Sequence, residues 1–168
     1  MSDTHLIYLS LGSNVGDRAT NLERAIQALN SRNITVLRRS SFYETEPVDF
    51  LAQPWFLNCV LQAQTVLIPA ILLRELQEIE REMGSHKPIP KGPRLIDLDI
   101  LLYDQSIVSL PGVEIPHPRM AQRRFVLVPF AEIAPALVHP QLGTSVAELL
   151  STTPDKSTVR VWHPHSQS

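Results

Sequence analysis

The chain has 168 residues, 43% hydrophobic and 19% charged, enough to bury one core without disulfides or metals. Its 15 basic and 17 acidic residues leave a formal charge of -2, which argues against a nucleic-acid binder working through bulk electrostatics. The single cysteine, Cys59, excludes an intramolecular disulfide and a Cys-based zinc site. The start Met1-Ser2-Asp3-Thr4-His5 lacks the features of a signal peptide, and no apolar run reaches the ~18 residues of a membrane helix. The expectation is one cytoplasmic domain over residues 1–168, with no membrane or nucleic-acid partner and a weakly determined tail at 151–168.

Leu6 to Leu11 is a short apolar run and reads as a buried strand. Residues 12–17 (GSNVGD) break it, and their glycines are assigned to the turn. Leu22, Ala25, Ile26 and Leu29 then form one helical stripe. Ile34 to Tyr43 is β-branched and aromatic enough for a second strand, and residues 44–54 read as a loop. Phe56 to Thr65 is a third strand with Leu57, Cys59, Leu61 and Ala63 toward a core and Phe56, Asn58, Gln62 and Gln64 on the other face. Pro69 opens a second helix carrying Leu72, Leu76, Ile79 and Met83, and Gly84 stops it. Residues 85–94, with three prolines and a glycine, are irregular, and Leu95 to Tyr103 is a fourth strand. A short strand is placed near Val113, and Arg123 to Ile133 reads as helix interrupted by Pro129. The order β-α-β-β-α-β suggests a ferredoxin-like α+β sandwich with a mostly antiparallel sheet.

The sharpest chemical signal is Arg94-Leu95-Ile96-Asp97-Leu98-Asp99-Ile100-Leu101-Leu102. On a strand, Ile96, Leu98, Ile100 and Leu102 share an apolar face, and Asp97 and Asp99 share the opposite one, roughly 6.6–6.8 Å apart along the strand. Paired carboxylates can bracket one Mg²⁺ or two ions, and Arg94 beside them suits a polyphosphate. A basic loop precedes them, with His86, Lys87, Lys91 and Arg94 within nine residues. His117 stands between two prolines and close to Arg119, Arg123 and Arg124, a pattern that suits an anion. Phe56 and Asn58 share a strand face, a ring and an amide that suit a flat heterocycle. On spacing alone, a solvated basic loop, a surface turn and a half-buried aromatic would produce the same patterns. Residues 12–17 lack both G-x-x-x-x-G-K-[ST] and G-x-G-x-x-G, which disfavours a P-loop kinase or a Rossmann enzyme.

Together these segments resemble 6-hydroxymethyl-7,8-dihydropterin pyrophosphokinases of folate biosynthesis. The resemblance rests on residues 9–18 (LSLGSNVGDR), 41–48 (SFYETEPV), 53–58 (QPWFLN), 92–94 (GPR) with 97–101 (DLDIL), and 115–118 (IPHP) with 123–125 (RRF), in the family's order. It implies a ferredoxin-like three-layer sandwich that moves the β,γ-pyrophosphate of ATP onto the pterin hydroxymethyl group and releases AMP. It implies that Asp97 and Asp99 hold two Mg²⁺ on the phosphates, and that Thr45, Pro47, Val48, Phe56, Asn58 and Phe125 form the pterin pocket. Gln77, Glu80, Lys87, Arg94, Ile100, His117 and Arg123 match positions near ATP. Arg94, Lys87 and Asp97 are the residues closest to catalysis, although a metal-bound carboxylate is a poor base for Asp97 to supply.

The loop at 85–93 departs from the family's usual arginines and bulky aromatic, leaving Lys87 and Lys91 as point charges. Pro118 stands where an aromatic is frequent. A non-catalytic pterin or nucleotide binder of the same fold and a metal-dependent phosphohydrolase are the rival readings. The loops at 44–54 and 85–93 are expected to be mobile and to order with both substrates. The chain is expected to act as a monomer and, at this length, to hold no second folate enzyme.

Overall fold

A computed structural model of the chain describes residues 3–47, 52–84 and 94–164. Its main sheet is built from β1 (His5–Ser13), β2 (Ile34–Arg39), β3 (Tyr43–Thr45), β4 (Phe56–Thr65), β5 (Asp97–Tyr103) and β8 (Val159–Val161). The strand order is β5-β1-β4-β3-β8, with β2 also pairing β4, and every pairing is antiparallel. A hairpin of β6 (Val108–Leu110) and β7 (Val113–Ile115) stands apart. The helices are α1 (Arg18–Asn30), α2 (Pro69–Glu82), α3 (Arg124–Ile133) and α4 (Val146–Thr152). This is an α+β protein with a mixed set of helices on an antiparallel sheet, as the sequence suggested. Among the described residues no helix is long and apolar enough to cross a membrane.

Local rules account for most of these elements. The Asp17 carboxylate accepts the Thr20 N–H and caps α1, whose stripe Leu22, Ala25, Ile26 and Leu29 is buried. Pro69 opens α2 without forfeiting a needed donor. Ser145 and Glu148 form a reciprocal capping box on α4.

Each face of the sheet carries a packed cluster. On one, Leu9, Leu11, Leu57, Cys59 and Leu61 pack with Leu22 and Leu29 of α1 and Leu72 and Leu76 of α2. Burial pushes the Cys59 thiol up to about 12, so this thiol is an inert apolar group. On the other face, Tyr8, Val60, Leu101 and Leu102 pack with Leu127 and Phe130 of α3 and Leu149 of α4. The rings of Tyr8 and Phe130 lie 5.0 Å apart. The second layer explains why Val60 is apolar on an otherwise polar face.

Five expectations are corrected. Leu102 does not share a face with Ile100: the β1–β5 register steps from Leu9↔Ile100 to Tyr8↔Leu102, so Leu101 is an extra residue and alternation flips. The second strand is broken into β2 and β3, with a similar step at Leu37 and a non-strand stretch at Ser40–Phe42. Gly12 lies inside β1, and only Gly16, with φ +69°, serves the turn. Pro129 does not interrupt α3, where it is buried with Leu127, Phe130 and Ile133. Its ring forfeits one bond near the helix start, and the apolar packing outweighs that loss. Among the described residues of the tail, Thr152 ends α4 and Val159–Val161 form β8, which pairs with β3.

Candidate active site

The sheet's second face is only partly covered. Beyond the area closed by α3 and α4, Ser10 and Gly12 of β1, Asn58 of β4, and Asp97 and Asp99 of β5 floor an open cavity of about 150 Å³. The strand registers place these residues in two rows. One runs Asp97, Gly12, Asn58, Tyr43 across four strands, and the next runs Asp99, Ser10, Val60. Both aspartates are half-buried on the same face of β5, as their i, i+2 spacing required.

Gly12 is what lets the first row close. A Cβ there would stand 2.4 Å from Asn58 Oδ1 and 3.5 Å from the Phe56 ring. Asn58 is 4% exposed, and its Nδ2 donates to Thr45 Oγ1 at 2.6 Å. The carboxamide is therefore held rigidly, with its oxygen over Gly12. The rings of Phe56 and Phe125 both line the cavity, and the Arg123 guanidinium sits 5.4 Å from the Phe125 ring centre.

Asn14, which is 2% exposed, braces two residues of the cavity wall. Its Nδ2 donates to Gln53 Oε1 at 2.8 Å and to the Pro54 carbonyl at 3.0 Å. Its Oδ1 accepts the Arg94 N–H at 2.7 Å, and its own N–H donates to the Arg94 carbonyl at 2.9 Å. One buried side chain thus ties the segment before Phe56 to the backbone of Arg94. Both Arg94 and Gln53 line the cavity.

Asp99 also borders a second cavity of about 210 Å³, lined by Leu98, Ile100, the β6–β7 hairpin and His117. His117 Nδ1 accepts the Arg119 N–H at 3.1 Å. Burial, with the positive charges of Arg123 and Arg119, brings its pKa down to about 4. At neutral pH the ring is therefore uncharged, with its hydrogen on Nε2, a donor that anion binding would push toward the cation.

Most of the expected site converges. Thr45, Pro47, Phe56, Asn58, Arg94, Asp97, Asp99, Arg123 and Phe125 line the first cavity, and Ile100 and His117 the second. Glu80 does not line either; it is 5% exposed, and its carboxylate accepts the Leu98 N–H at 2.8 Å, between the two aspartates. Gln77 is exposed on α2 and also lines neither cavity. Val48, Lys87 and the rest of 85–93 lie outside the described residues. Four cavity residues were not anticipated from sequence: Ser10, Gly12, Glu46 and Gln53. Gly12 alone carried a signal, since a glycine within a strand marks a close approach.

Among the described residues no three His, Cys, Asp or Glu side chains gather into a metal cage. The pair Asp97 and Asp99 suits Mg²⁺, which takes one or two carboxylates and completes its shell with water and substrate phosphates.

Fold and site together define an α+β protein whose cavity joins a carboxylate-and-arginine end to an aromatic, amide-lined end. The chain belongs to the 7,8-dihydro-6-hydroxymethylpterin-pyrophosphokinase (HPPK) family, whose sequence model matches residues 8–135. It is 47% identical over 145 residues to the folic acid synthesis protein fol1 of Pneumocystis carinii, covering 86% of this chain and 20% of that protein. It is 40% identical to the 2-amino-4-hydroxy-6-hydroxymethyldihydropteridine pyrophosphokinase of Bacillus subtilis, covering 96% of this chain and 93% of that one. The chain thus spans about a fifth of the fungal relative and nearly all of the bacterial one. A crystal structure of wild-type Plasmodium falciparum HPPK-DHPS with pterin and p-hydroxybenzoate shares the fold at TM-score 0.70 and 15% identity, over 88% of this chain and 41% of that one.

Proposed function

We propose that this chain transfers pyrophosphate from ATP to the hydroxymethyl group of 6-hydroxymethyl-7,8-dihydropterin in folate biosynthesis. The observation that carries the reading is the single cavity in which Asp97 and Asp99 stand beside Asn58 and the two rings Phe56 and Phe125. Family membership supports it, as does a bacterial relative of that name at 40% identity over nearly equal length.

In this reading the pterin ring lies between Phe56 and Phe125. Asn58, fixed by Thr45, presents an acceptor and a donor to the heterocycle edge, and Pro47 and Val48 complete the pocket. ATP extends past Asp99 toward Ile100 and His117, with its phosphates met by Arg94, Arg123 and Lys87. Glu80 acts from beneath by holding the Leu98 N–H and so the pitch of the aspartate strand, with Gln77 on the same flank of α2. Asp97 and Asp99 are the residues that would hold Mg²⁺, two ions by resemblance, which when bound neutralise charge on the phosphates.

The step moves the pterin hydroxyl oxygen onto the β-phosphorus of ATP. The bond between that phosphorus and the oxygen bridging to the α-phosphate breaks, AMP leaves with that oxygen, and one proton is released. The nucleophile is a neutral alcohol and the electrophile is ringed by negative charge. This chain's work is therefore chiefly positioning and charge compensation. Asn14 contributes by fixing the Arg94 backbone, and neutral His117 by donating from Nε2 without the burial cost of a cation.

The strand order, with β2 and β3 together as one broken strand, supports reading the sheet as a ferredoxin-like three-layer sandwich over one domain of residues 1–168. The substrates in this reading are small molecules and the chain acts as a cytoplasmic monomer; the formal charge of -2 bears only on the nucleic-acid alternative, which it disfavours. The test is product analysis by ³¹P NMR after incubation with ATP, Mg²⁺ and the dihydropterin. Pyrophosphorylated pterin and AMP in equal amounts support the reading; inorganic phosphate without the pterin product would replace it with a hydrolase.

A further inference from the structure

We infer that residues 155–162 form a clasp that sets the spacing of the heterocycle slot, with Asp155 as its main positioning residue. The inference rests on the pterin reading above. The segment lies beyond the 8–135 stretch that the family model matches.

The clasp begins at α3. The first residue of that helix is Arg124, flanked by the cavity residues Arg123 and Phe125, and the helix start has no side-chain cap of its own. Asp155 supplies one from outside: its Oδ2 accepts the Arg124 N–H at 2.8 Å, and its Oδ1 accepts the Ser157 N–H at 2.9 Å. The Ser157 carbonyl in turn accepts Arg124 Nε at 2.9 Å. Burial pushes the Asp155 carboxyl up, but these donors and the Arg124 charge outweigh it and hold it below the usual carboxylate range.

The same segment then crosses to the opposite wall. The Thr158 N–H donates to Glu46 Oε1 at 2.6 Å, and the Glu46 N–H donates to the Thr158 carbonyl at 3.3 Å. Val159–Val161 pair with Tyr43–Thr45, and Thr45 holds Asn58. Arg160 Nη2 meets Glu44 at 2.9 Å, and its guanidinium lies 4.8 Å from the ring centre of Trp55, the neighbour of Phe56. Eight residues therefore grip the Phe125 side, the Thr45–Glu46 side and the Phe56 side of one cavity.

The far end of α3 is anchored separately. Glu132 accepts the Tyr43 O–H at 2.7 Å and the Ser41 N–H at 2.9 Å. Losing Asp155 would thus free the end of α3 that carries Phe125 while its other end stays fixed. Arg123, assigned above to the ATP phosphates, stands at the same end of α3 as Phe125, so the loss falls chiefly on the pterin and to a smaller degree on ATP.

The test compares wild type with Asp155→Ala, Asp155→Asn and Arg124→Met. Dihydropterin binding is read by fluorescence titration in the presence of α,β-methylene-ATP, alongside steady-state KM for both substrates. Asp155→Ala removes a cap whose worth is helix stability, and as Phe125 loses its fixed position dihydropterin binding is expected to weaken by up to about five- to tenfold, with a smaller rise in the KM for ATP. Asp155→Asn keeps one of the two acceptors, the one that can cap the Arg124 N–H, and recovers part of the binding. Arg124→Met, which loses the bond to Ser157 and the positive charge beside Asp155 but keeps the capped N–H, weakens binding about two- to threefold. Unchanged dihydropterin binding in folded variants overturns the clasp, and so does a parallel rise in both KM values or an Asn variant as impaired as the Ala one. Should Asp155→Ala fail to fold, Arg124→Met and Asp155→Asn decide by the same criterion. A wild-type protein that binds no dihydropterin overturns the pterin reading itself, and that failure is visible before any variant is made.

Discussion

Replacing Gly12 by alanine isolates one contact in the proposed pterin slot. Gly12 has an ordinary extended backbone, so alanine meets no backbone penalty there, and the whole effect comes from its methyl group. That methyl would sit 2.4 Å from Asn58 Oδ1, more than an ångström inside normal contact. Asn58 is almost fully buried between Gly12 and Thr45, so relief requires either turning its carboxamide or parting β1 from β4. Turning it breaks the 2.6 Å bond to Thr45 Oγ1 and disorients the group assigned to the heterocycle edge. A buried bond lost in this way costs roughly 1–3 kcal/mol, and overpacking of this kind costs a similar roughly 1–3 kcal/mol. Because one movement relieves the other, we expect about 1–3 kcal/mol in dihydropterin affinity, or about 5- to 150-fold. Fluorescence titration with the dihydropterin measures this, with ATP-analogue affinity as the internal control. A Gly12→Ala protein that binds the dihydropterin within twofold of wild type would refute the slot.

Three further predictions address the rest of the site. Asp97→Ala and Asp99→Ala should each lower turnover by orders of magnitude while leaving the melting temperature nearly unchanged, since both side chains are half-buried at a cavity wall; near-normal turnover in either removes the carboxylate assignment. The His117 ring should titrate near pH 4 by NMR in the free protein, and ATP should raise that value. Because its folded pKa lies below the unfolded 6.5, the stability it contributes is full above about pH 6.5 and is lost as pH falls toward 4. A His117→Asn protein should therefore lose less stability than wild type across that window, and parallel pH profiles in thermal melts would contradict this. Asn14→Ala strips partners from the Arg94 N–H and the Pro54 carbonyl, so it should cost about 3 kcal/mol in chemical denaturation and slow turnover; a loss below 1 kcal/mol would mean the tie is dispensable.

The sequence made the central elements legible because their signals are local. Alternation gave β4, the helical stripe gave α1 and α2, and the i, i+2 aspartates predicted a shared face that β5 provides. What escaped depends on partners distant in the chain. The flip at Leu102 arises only where β5 meets β1, since nothing within Ile100–Tyr103 announces an extra residue. Strand β8 exists because it finds β3, more than a hundred residues earlier. Pro129 stays within α3 because Tyr8 and Val60 offer that helix an apolar bed. Gly12 looked like a turn residue because turn and strand glycines are identical until the neighbouring Asn58 is in place. Resemblance sets Glu80 near ATP, and its burial and its bond to the Leu98 N–H depend on where α2 packs against β5, which no local pattern in α2 announces.

The most direct measurement is AMP release from ATP and Mg²⁺, with and without 6-hydroxymethyl-7,8-dihydropterin. Release that requires both the pterin and the metal, and that fails in Asp97→Ala and Asp99→Ala, is the expected result. AMP release that ignores the pterin, or none at all from a protein that binds both ligands, would contradict the proposed transfer.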